Sequence, residues 1–114
     1  MKNCIFCKIV CKEIKADIVA ETNNSIAFKD INPQAKFHIL IIPKIHIKST
    51  VDICQHNIHL LSDIILLSNQ ISKSTKIISN GYRWVFNTGK DGGQTVDHLH
   101  MHLIGGQPLN WSPA

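Results

Sequence analysis

Hydrophobic positions in this 114-residue chain recur at two spacings, and each spacing predicts a different kind of secondary structure. Between residues 55 and 78, apolar residues fall at steps of three and four, which predicts one long helix. The same spacing predicts a short helix over residues 7–14. Shorter apolar segments bounded by turn residues predict strands. These strands cover residues 18–20, 25–29, 37–42, 82–87 and 95–104.

The connections between the predicted strands are turns or a single helix, which favours an antiparallel α+β sheet over a doubly wound parallel one. The asparagines within residues 22–24 suit a hairpin turn between the first two strands. We therefore expect one domain over residues 1–114, with a five-stranded antiparallel sheet, one long helix and one short helix.

Composition narrows the class of protein further. Hydrophobic residues make up 44% and charged residues 18% of the chain, a balance that excludes disorder and coiled coil. The longest continuous apolar segments have four residues, too few to cross a bilayer, so we expect no membrane partner. Residues 1–4 lack the apolar stretch of an export signal, and a cytoplasmic location is the expectation.

The net charge is +4, with a sequence pI near 9.0, and an excess of positive charge is typical of proteins with anionic partners. Arg83 is the only arginine, and the lysines are scattered without basic runs or interleaved aromatic residues. A nucleic-acid-binding groove normally shows both of those features. The net charge therefore carries little functional weight, and no nucleic-acid partner is expected.

Three of the seven histidines alternate with apolar residues, at His98, His100 and His102. In an extended strand, side chains two residues apart share a face, so the three histidines line one side while the intervening residues face the core. Geometry argues against a single metal ion bound by all three, because residues four apart on a strand are about 13 Å apart at Cα, although two neighbouring histidines could share one ion. The row instead suits a substrate group with several oxygens, toward which histidine can be nucleophile, acid or donor. The alternative is a half-buried strand whose polar face happens to hold histidines.

A glycine-rich segment, residues 90–95, precedes the histidine row. Gly92 and Gly93 allow the backbone to approach an anion closely and to offer it N–H groups. Gln94 and Thr95 add an amide and a hydroxyl. Glycine pairs are common in hairpins, but next to the histidine row this segment predicts a phosphate-binding site.

Together these residues resemble the histidine triad (HIT) family, and its bacterial Hint-like branch in particular. The family motif alternates three histidines with hydrophobic residues, and in this chain it reads His98-Leu-His-Met-His-Leu-Ile104. Further similarity is spread over nearly the whole sequence. The similar segments are residues 4–9, 28–35, 38–44, 91–94 and 105–106, together with Asn87 and Trp111.

The resemblance implies an enzyme that hydrolyses purine nucleoside phosphoramidates or acyl-nucleotidylates, with water as the final acceptor of a nucleotidyl group carried on a histidine. It also implies a purine nucleotide substrate of the AMP or GMP type, no cofactor for the chemistry, and a homodimer whose sheet continues across the interface. A nucleotide-binding regulatory or scaffold protein with incidental hydrolysis is the alternative. Hydrolysis of dinucleoside polyphosphates is disfavoured by the Hint-like tail from Gly105 to Trp111.

The resemblance also implies roles for individual residues. His100 would be the nucleophile, while His102 and His38 would contact the phosphate and handle protons. Asp30 would accept hydrogen bonds from the ribose hydroxyls, although a turn cap before Pro33 is an equal alternative. Phosphate oxygens or the leaving group would be held by Asn87, Gly93, Gln94 and Thr95. The base would lie between Ile5, Phe6, Ile9, Phe28 and Ile31. Without the resemblance, Phe28 and Ile31 would be interpreted as ordinary core residues.

Cys4 and Cys7 have the spacing of a metal-ligand pair and need two further ligands to complete a tetrahedral site. His46 and His98 are the candidates, and the resemblance to bacterial relatives with this cysteine pair implies a structural zinc at the four positions. The alternative is that both cysteines are small apolar residues that cover the core. Asp97 lies next to His98, and the sequence does not decide its role.

Overall fold

The computed structural model describes residues 3–111 and contains one five-stranded sheet. The elements in chain order are α1 (Ile5–Val10), β1 (Ile18–Glu21), β2 (Ser25–Lys29), β3 (Phe37–Pro43), α2 (Ile58–Ser74), β4 (Tyr82–Val85) and β5 (Met101–Gly105). Two short 3₁₀ turns, Thr50–Asp52 and Ile77–Ser79, flank α2. The strand order is β1-β2-β3-β5-β4 with antiparallel neighbours throughout, which confirms the predicted antiparallel α+β sheet.

The sheet buries apolar side chains on both faces, and the alternation along each strand decides which face a residue meets. The α2 face contains Ala27, Ile39, Ile41, Met101 and Leu103, packed on Leu60, Ile64, Leu67 and Ile71. The α1 face contains Ile26, Phe28, Leu40 and Ile42, packed on Phe6 and Ile9. Because α2 has 17 residues and α1 has six, α1 covers less of its face of the sheet. The candidate site lies on this less covered face.

The long helix is shorter than predicted at both ends. The pattern predicts a helix over residues 55–78, whereas α2 runs only from Ile58 to Ser74. Lys76 then adopts a left-handed backbone conformation with φ of 66°, which an α-helix cannot continue through. No helix within residues 3–111 is long and apolar enough to cross a membrane.

The short helix begins and ends earlier than the predicted range of residues 7–14. Cys4 caps its N-terminus, because the Cys4 sulfur accepts the backbone N–H of Cys7 at 3.3 Å. Lys12, with φ of 66°, reverses the chain just after the helix ends. Both cysteines therefore lie in or next to the first turn of α1.

The last strand also differs from its predicted range of residues 95–104, since β5 begins only at Met101. Its partner β3 ends at Pro43, which has no N–H with which to extend the ladder. Leu99 instead donates its N–H to the carbonyl of Ile47, beyond the end of β3. Residues 95–100 therefore approach the sheet as an irregular segment. Strand β4 also ends two residues before the end of its predicted range of residues 82–87.

The histidines keep their alternation although only His102 lies within β5. Leu99 and Met101 are buried on the α2 face, as the sequence predicts. His98 and His100 are buried too, at 0% and 4% exposure. The irregular backbone before β5 lets their two rings reach different surroundings instead of lying in one straight row.

Candidate functional site

A cavity of about 350 Å³ lies on the face of the sheet that carries α1. The helix and the segment behind it form one wall, β2 and the turn after it form another, and the segment leading into β5 forms the third. Four residues with predicted chemical roles line this cavity: Asp30, Thr95, His100 and His102. Convergent polar groups beside apolar walls are typical of small-molecule sites.

The apolar walls of the cavity contain every residue that the sequence predicts for binding the base. These residues are Ile5, Phe6, Ile9, Phe28 and Ile31. Phe6 and Phe28 are buried and meet edge to face, with ring centroids 5.5 Å apart. Ile31 is 98% exposed, so a bound apolar ring would remove its side chain from water.

His100 has one ring nitrogen held by the backbone, and the other makes no hydrogen bond to another residue between 3 and 111. Its Nδ1 lies 2.7 Å from the carbonyl oxygen of His98, and a carbonyl only accepts, so Nδ1 carries the proton. The Nε2 atom of neutral His100 therefore keeps a lone pair. The ring packs edge to face on Phe6, with centroids 5.2 Å apart. This tautomer is the one in which Nε2 can act as a nucleophile.

His38 and His102 are joined by a hydrogen bond between β3 and β5. The backbone N–H of Gln34 donates to Nδ1 of His38 at 3.0 Å, which leaves the proton of neutral His38 on Nε2. That Nε2–H donates to Nδ1 of His102 at 2.8 Å. Neutral His102 then carries its own proton on Nε2, where it is available as a donor.

The environment keeps both of these imidazoles neutral. Burial, together with the nearby His100 and His38, lowers the pKa of His102 to about 4. Burial also lowers the pKa of His38, and the Asp30 carboxylate opposes part of that shift. The tautomers that follow from the hydrogen bonds therefore persist at neutral pH.

Asp30 has one oxygen in its own turn and the other beside a histidine. Its Oδ1 accepts the backbone N–H of Asn32 at 2.8 Å, which is the turn cap that the sequence left as an alternative. Its Oδ2 lies 3.3 Å from Nε2 of His38. A carboxylate has enough lone pairs to make both contacts and still accept a ligand hydroxyl. Asp30, His38 and His102 form the aspartate–histidine cluster.

The glycine-rich loop is held together by hydrogen bonds to its own and neighbouring backbone. The Asn87 amide donates to the carbonyl of Gly92 at 2.8 Å. The Gln94 side chain donates and accepts backbone hydrogen bonds at 2.7 Å and 2.9 Å. Gly93 has φ of 80°, a conformation that favours glycine. Thr95 lines the cavity, whereas Asn87, Gly93 and Gln94 are not brought to its walls.

Leu40, Val96 and Lys15 line the cavity although the sequence did not mark them as site residues. Leu40 lies two residues after His38 on β3, so strand alternation could have indicated it. Val96 directly follows Thr95, and its position depends on the irregular segment before β5. No pattern in the sequence distinguishes Lys15 from the other lysines.

Cys4, Cys7, His46 and His98 meet beside the cavity and form the cysteine–histidine cluster. Each places one sulfur or ring nitrogen within 4.8 Å of the others. Nδ1 of His98 lies 3.3 Å from Sγ of Cys4, 3.5 Å from Sγ of Cys7 and 3.2 Å from Nδ1 of His46. Ligand atoms on one tetrahedral zinc ion are separated by about 3.3–3.8 Å, given bonds of about 2.0–2.3 Å, so these distances fit a single ion.

The backbone also orients His98 as a ligand. Its Nε2–H donates to the carbonyl of Pro43 at 2.8 Å, which leaves the Nδ1 lone pair directed at the two cysteines. Burial lowers the pKa of His98 to about 4, so Nδ1 stays unprotonated near neutral pH. Burial and the neighbouring Cys4 raise the pKa of the Cys7 thiol, and a bound cation would stabilise its thiolate.

Comparison with known proteins gives a match to one family and to several of its members. The family model described as HIT domain matches residues 11–109. Protein HitA of Neisseria gonorrhoeae is 45% identical over 105 residues, which cover 92% of this chain and 97% of that protein. The purine nucleoside phosphoramidase of Escherichia coli K12 is 45% identical over 105 residues, which cover 92% of this chain and 88% of that protein.

Solved structures show the same fold. The crystal structure of a HIT family hydrolase from Legionella pneumophila Philadelphia 1 has a TM-score of 0.95 and 44% identity, and covers 98% of this chain and 100% of that chain. A histidine triad protein from Clostridium difficile has a TM-score of 0.95 and 41% identity, with 98% of each chain covered. The similarity therefore extends beyond the range of the family model and over nearly the whole chain.

Proposed function

This chain belongs to the HIT family, and from that premise we propose that it hydrolyses purine nucleoside phosphoramidates or acyl-nucleotidylates. The observation that carries the proposal is the His100 ring, whose Nδ1–H is held by a carbonyl so that Nε2 keeps its lone pair. This ring lines a cavity that also contains a carboxylate and apolar side chains. The phosphoramidase name of the relative from Escherichia coli supports the same class of substrate.

We assign the bond-making step to His100. Its Nε2 attacks the α-phosphorus, the bond from phosphorus to the leaving nitrogen or acyl oxygen breaks, and a nucleotidyl-histidine forms. Water then attacks phosphorus, the bond from Nε2 to phosphorus breaks, and the nucleoside monophosphate leaves. An imidazole suits both steps because it is a good nucleophile and a good leaving group when protonated.

His102 and His38 handle protons around the phosphate in this proposal. The hydrogen bond from His38 makes Nε2 of His102 a donor, which suits a phosphate oxygen or the leaving atom. Among the loop residues, Thr95 lines the cavity, which supports its proposed contact with the phosphate or the leaving group. Asn87, Gly93 and Gln94 stay proposed contacts of the phosphate or leaving group without that support.

The nucleoside binds between Asp30 and the apolar walls. Asp30 accepts hydrogen bonds from the ribose hydroxyls through the carboxylate oxygen that its turn leaves available. The purine ring of an AMP or GMP moiety packs on the side chains of Ile5, Phe6, Ile9, Phe28 and Ile31. No cofactor takes part in the reaction.

We further propose that the cysteine–histidine cluster holds a structural zinc ion. Two thiolate sulfurs and two imidazole nitrogens form a donor set that zinc prefers. Protein atoms fill all four positions, so the ion stabilises the fold and takes no part in the reaction. Metal analysis of protein purified without chelator should give about one zinc per chain. Zinc-free protein whose thermal stability is unchanged by added zinc would contradict this site.

The remaining proposals concern the whole molecule, which is one HIT domain that acts in the cytoplasm as a homodimer. The open edges of the sheet are β1 and β4, and pairing of one edge with a second copy would satisfy its free N–H and C=O groups. Each edge carries an exposed apolar side chain, Ile18 on β1 and Trp84 on β4, both 39% exposed. Sedimentation at micromolar concentration should show a dimer, and a monomer would contradict the proposal.

Turnover of a panel of substrates tests the proposed activity. Adenosine and guanosine 5′-phosphoramidates and an acyl-adenylate should each release the nucleoside monophosphate, while a dinucleoside polyphosphate should react more slowly. Binding of AMP without turnover of any panel member would instead indicate a nucleotide-binding regulatory or scaffold protein.

A further inference from the structure

The cysteine–histidine cluster and the candidate active site share one residue, His98. Its ring nitrogen Nδ1 lies 3.3 Å and 3.5 Å from the sulfurs of Cys4 and Cys7. Its backbone carbonyl accepts the Nδ1–H of His100 at 2.7 Å. A displacement of His98 that opened the cluster would therefore also move the acceptor that fixes the His100 tautomer.

Phe6 makes a second connection between the two sites. Its ring packs edge to face on His98 and on His100, with centroids 5.8 Å and 5.2 Å apart. The same ring forms part of the apolar wall of the cavity. In sequence, Phe6 lies between Cys4 and Cys7, so any constraint on the two sulfurs also constrains this side chain.

Helix α1, which carries Phe6, is too short to be stable without its packing on the rest of the protein. It has six residues, fewer than an isolated helix needs for stability in water. It takes no part in the sheet, and its buried side chains are Phe6 and Ile9. The position of α1 therefore depends on this packing and on whatever holds its two cysteines.

We propose that zinc binding and nucleotide binding are coupled through Phe6 and His98, which act as positioning residues for the candidate active site. Zinc held by Cys4 and Cys7 fixes α1 and thereby the apolar wall, and zinc held by His98 fixes the carbonyl behind His100. A purine packed on that wall in turn holds α1 against the cluster. By linkage, each ligand increases the affinity for the other by the same factor.

This inference rests on the proposed nucleotide site and zinc site. Either site could exist without the coupling between their affinities, so the coupling needs its own test. The first measurement is the Kd for AMP of zinc-loaded and zinc-free protein, by calorimetry, with circular dichroism to confirm that both are folded. The zinc-free protein should bind AMP more weakly, on the order of tenfold.

A second measurement starts from the zinc-loaded protein and so does not depend on how well the zinc-free chain folds. Excess 4-(2-pyridylazo)resorcinol accepts the released zinc, and the rate of transfer is followed by absorbance. Saturating AMP should slow the release severalfold. Ribose 5-phosphate, which has no base to pack on the wall, should slow it less than AMP does.

Two variants of α1 separate the coupling from a general effect on the helix. Phe6→Leu keeps an apolar side chain but loses the ring contacts with His98 and His100, so the ratio of the two AMP Kd values should fall toward one. Ile9→Val is the matched control, because Ile9 lines the same cavity but lies beyond Cys7. Ile9→Val should weaken AMP binding, but the ratio of the AMP Kd values of zinc-free and zinc-loaded protein should stay unchanged.

The outcomes that overturn the coupling are distinguishable from one another. Equal AMP affinities with and without zinc, together with unchanged zinc release, would refute the coupling and leave both sites standing. Zinc-loaded protein that does not bind AMP would refute the proposed nucleotide site and the coupling with it. Folded protein that takes up no zinc would refute the metal site, and again the coupling.

Discussion

The cysteine–histidine cluster and the aspartate–histidine cluster each bring metal-type ligand atoms within 4.8 Å of one another, yet their histidines are prepared for different chemistry. In the first cluster, the carbonyl of Pro43 accepts the Nε2–H of His98, and the lone pair on Nδ1 is directed at the other ligands. In the second, the N–H of Gln34 donates to Nδ1 of His38, and the proton stays on the Nε2 that faces the other groups.

One backbone contact thus decides whether a histidine ring presents a lone pair or an N–H to its neighbours. A cation at the aspartate–histidine cluster would have to displace the proton from Nε2 of His38. That proton could not move to Nδ1, because Nδ1 already accepts the Gln34 N–H. The cysteine–histidine cluster presents no such conflict, so zinc is expected in that cluster and proton transfer in the other.

The largest expected effect comes from His100, whose ring lies between the two clusters. His100→Ala should lower turnover on the order of 10³-fold or more, because the nucleophile is removed, while AMP affinity stays near the wild-type value. Steady-state kinetics and calorimetry measure the two quantities. The variant should retain zinc, which serves as the control for folding. Near-normal turnover would remove His100 from the mechanism.

The next effect concerns metal content and separates the clusters directly. Cys4→Ser combined with Cys7→Ser should lose the zinc and keep some hydrolysis. Free zinc at a hundredfold excess over its Kd adds about 2.7 kcal/mol to the free energy of unfolding. The double variant should therefore melt roughly 10 °C lower than zinc-loaded wild type. Asp30→Asn is the matched change in the other cluster, and loss of zinc from that variant would contradict the comparison.

Stability at acid pH tests the aspartate–histidine cluster. The pKa of His102 falls from 6.5 to about 4 on folding, because of burial and the nearby His100 and His38, although Asp30 opposes the shift. Within this window the unfolded chain binds a proton that the folded chain does not, so stability falls as the pH falls from 6.5 toward 4. The loss approaches about 3 kcal/mol.

Urea unfolding of wild type and His102→Asn at about pH 7 and about pH 4.5 measures this loss. Any zinc bound at the cysteine–histidine cluster would be released from both proteins on acidification, so the comparison between them reports the contribution of His102. The wild type should lose roughly 2 kcal/mol more than the variant over this range. Equal losses would mean that His102 titrates normally in the folded protein.

The smallest expected effect is on nucleotide affinity. Asp30→Ala should weaken AMP binding by roughly 1–3 kcal/mol through lost hydrogen bonds to the ribose hydroxyls. Binding of 2′,3′-dideoxy-AMP should be nearly the same in the variant and the wild type, because that ligand lacks the hydroxyls. An unchanged AMP affinity in Asp30→Ala would place Asp30 outside the site and leave its turn cap as its role.

Much of the fold could be predicted because it depends on local patterns. The alternation of His98, His100 and His102 with apolar residues placed the latter in the core, and the helical spacing of residues 55–78 located α2. The start of β5 could not be predicted, because it depends on which residue of β5 would lie opposite Pro43, the end of β3 that has no N–H for the ladder. The end of α2 depends on the backbone conformation of Lys76, which no turn residue in the sequence marks.

The sequence by itself determined which donor and acceptor groups the chain can offer, because residue type and spacing fix those atoms. Only the tertiary structure decided which ring nitrogen of His98 and of His102 carries the proton. Contacts between residues distant in sequence make that choice for His98, through Pro43, and for His102, through His38. The tautomers of His100 and His38 instead follow from backbone groups two and four residues away. The same folding places His98 between the cluster it belongs to and the ring of His100, because its side chain and its carbonyl point to different neighbours.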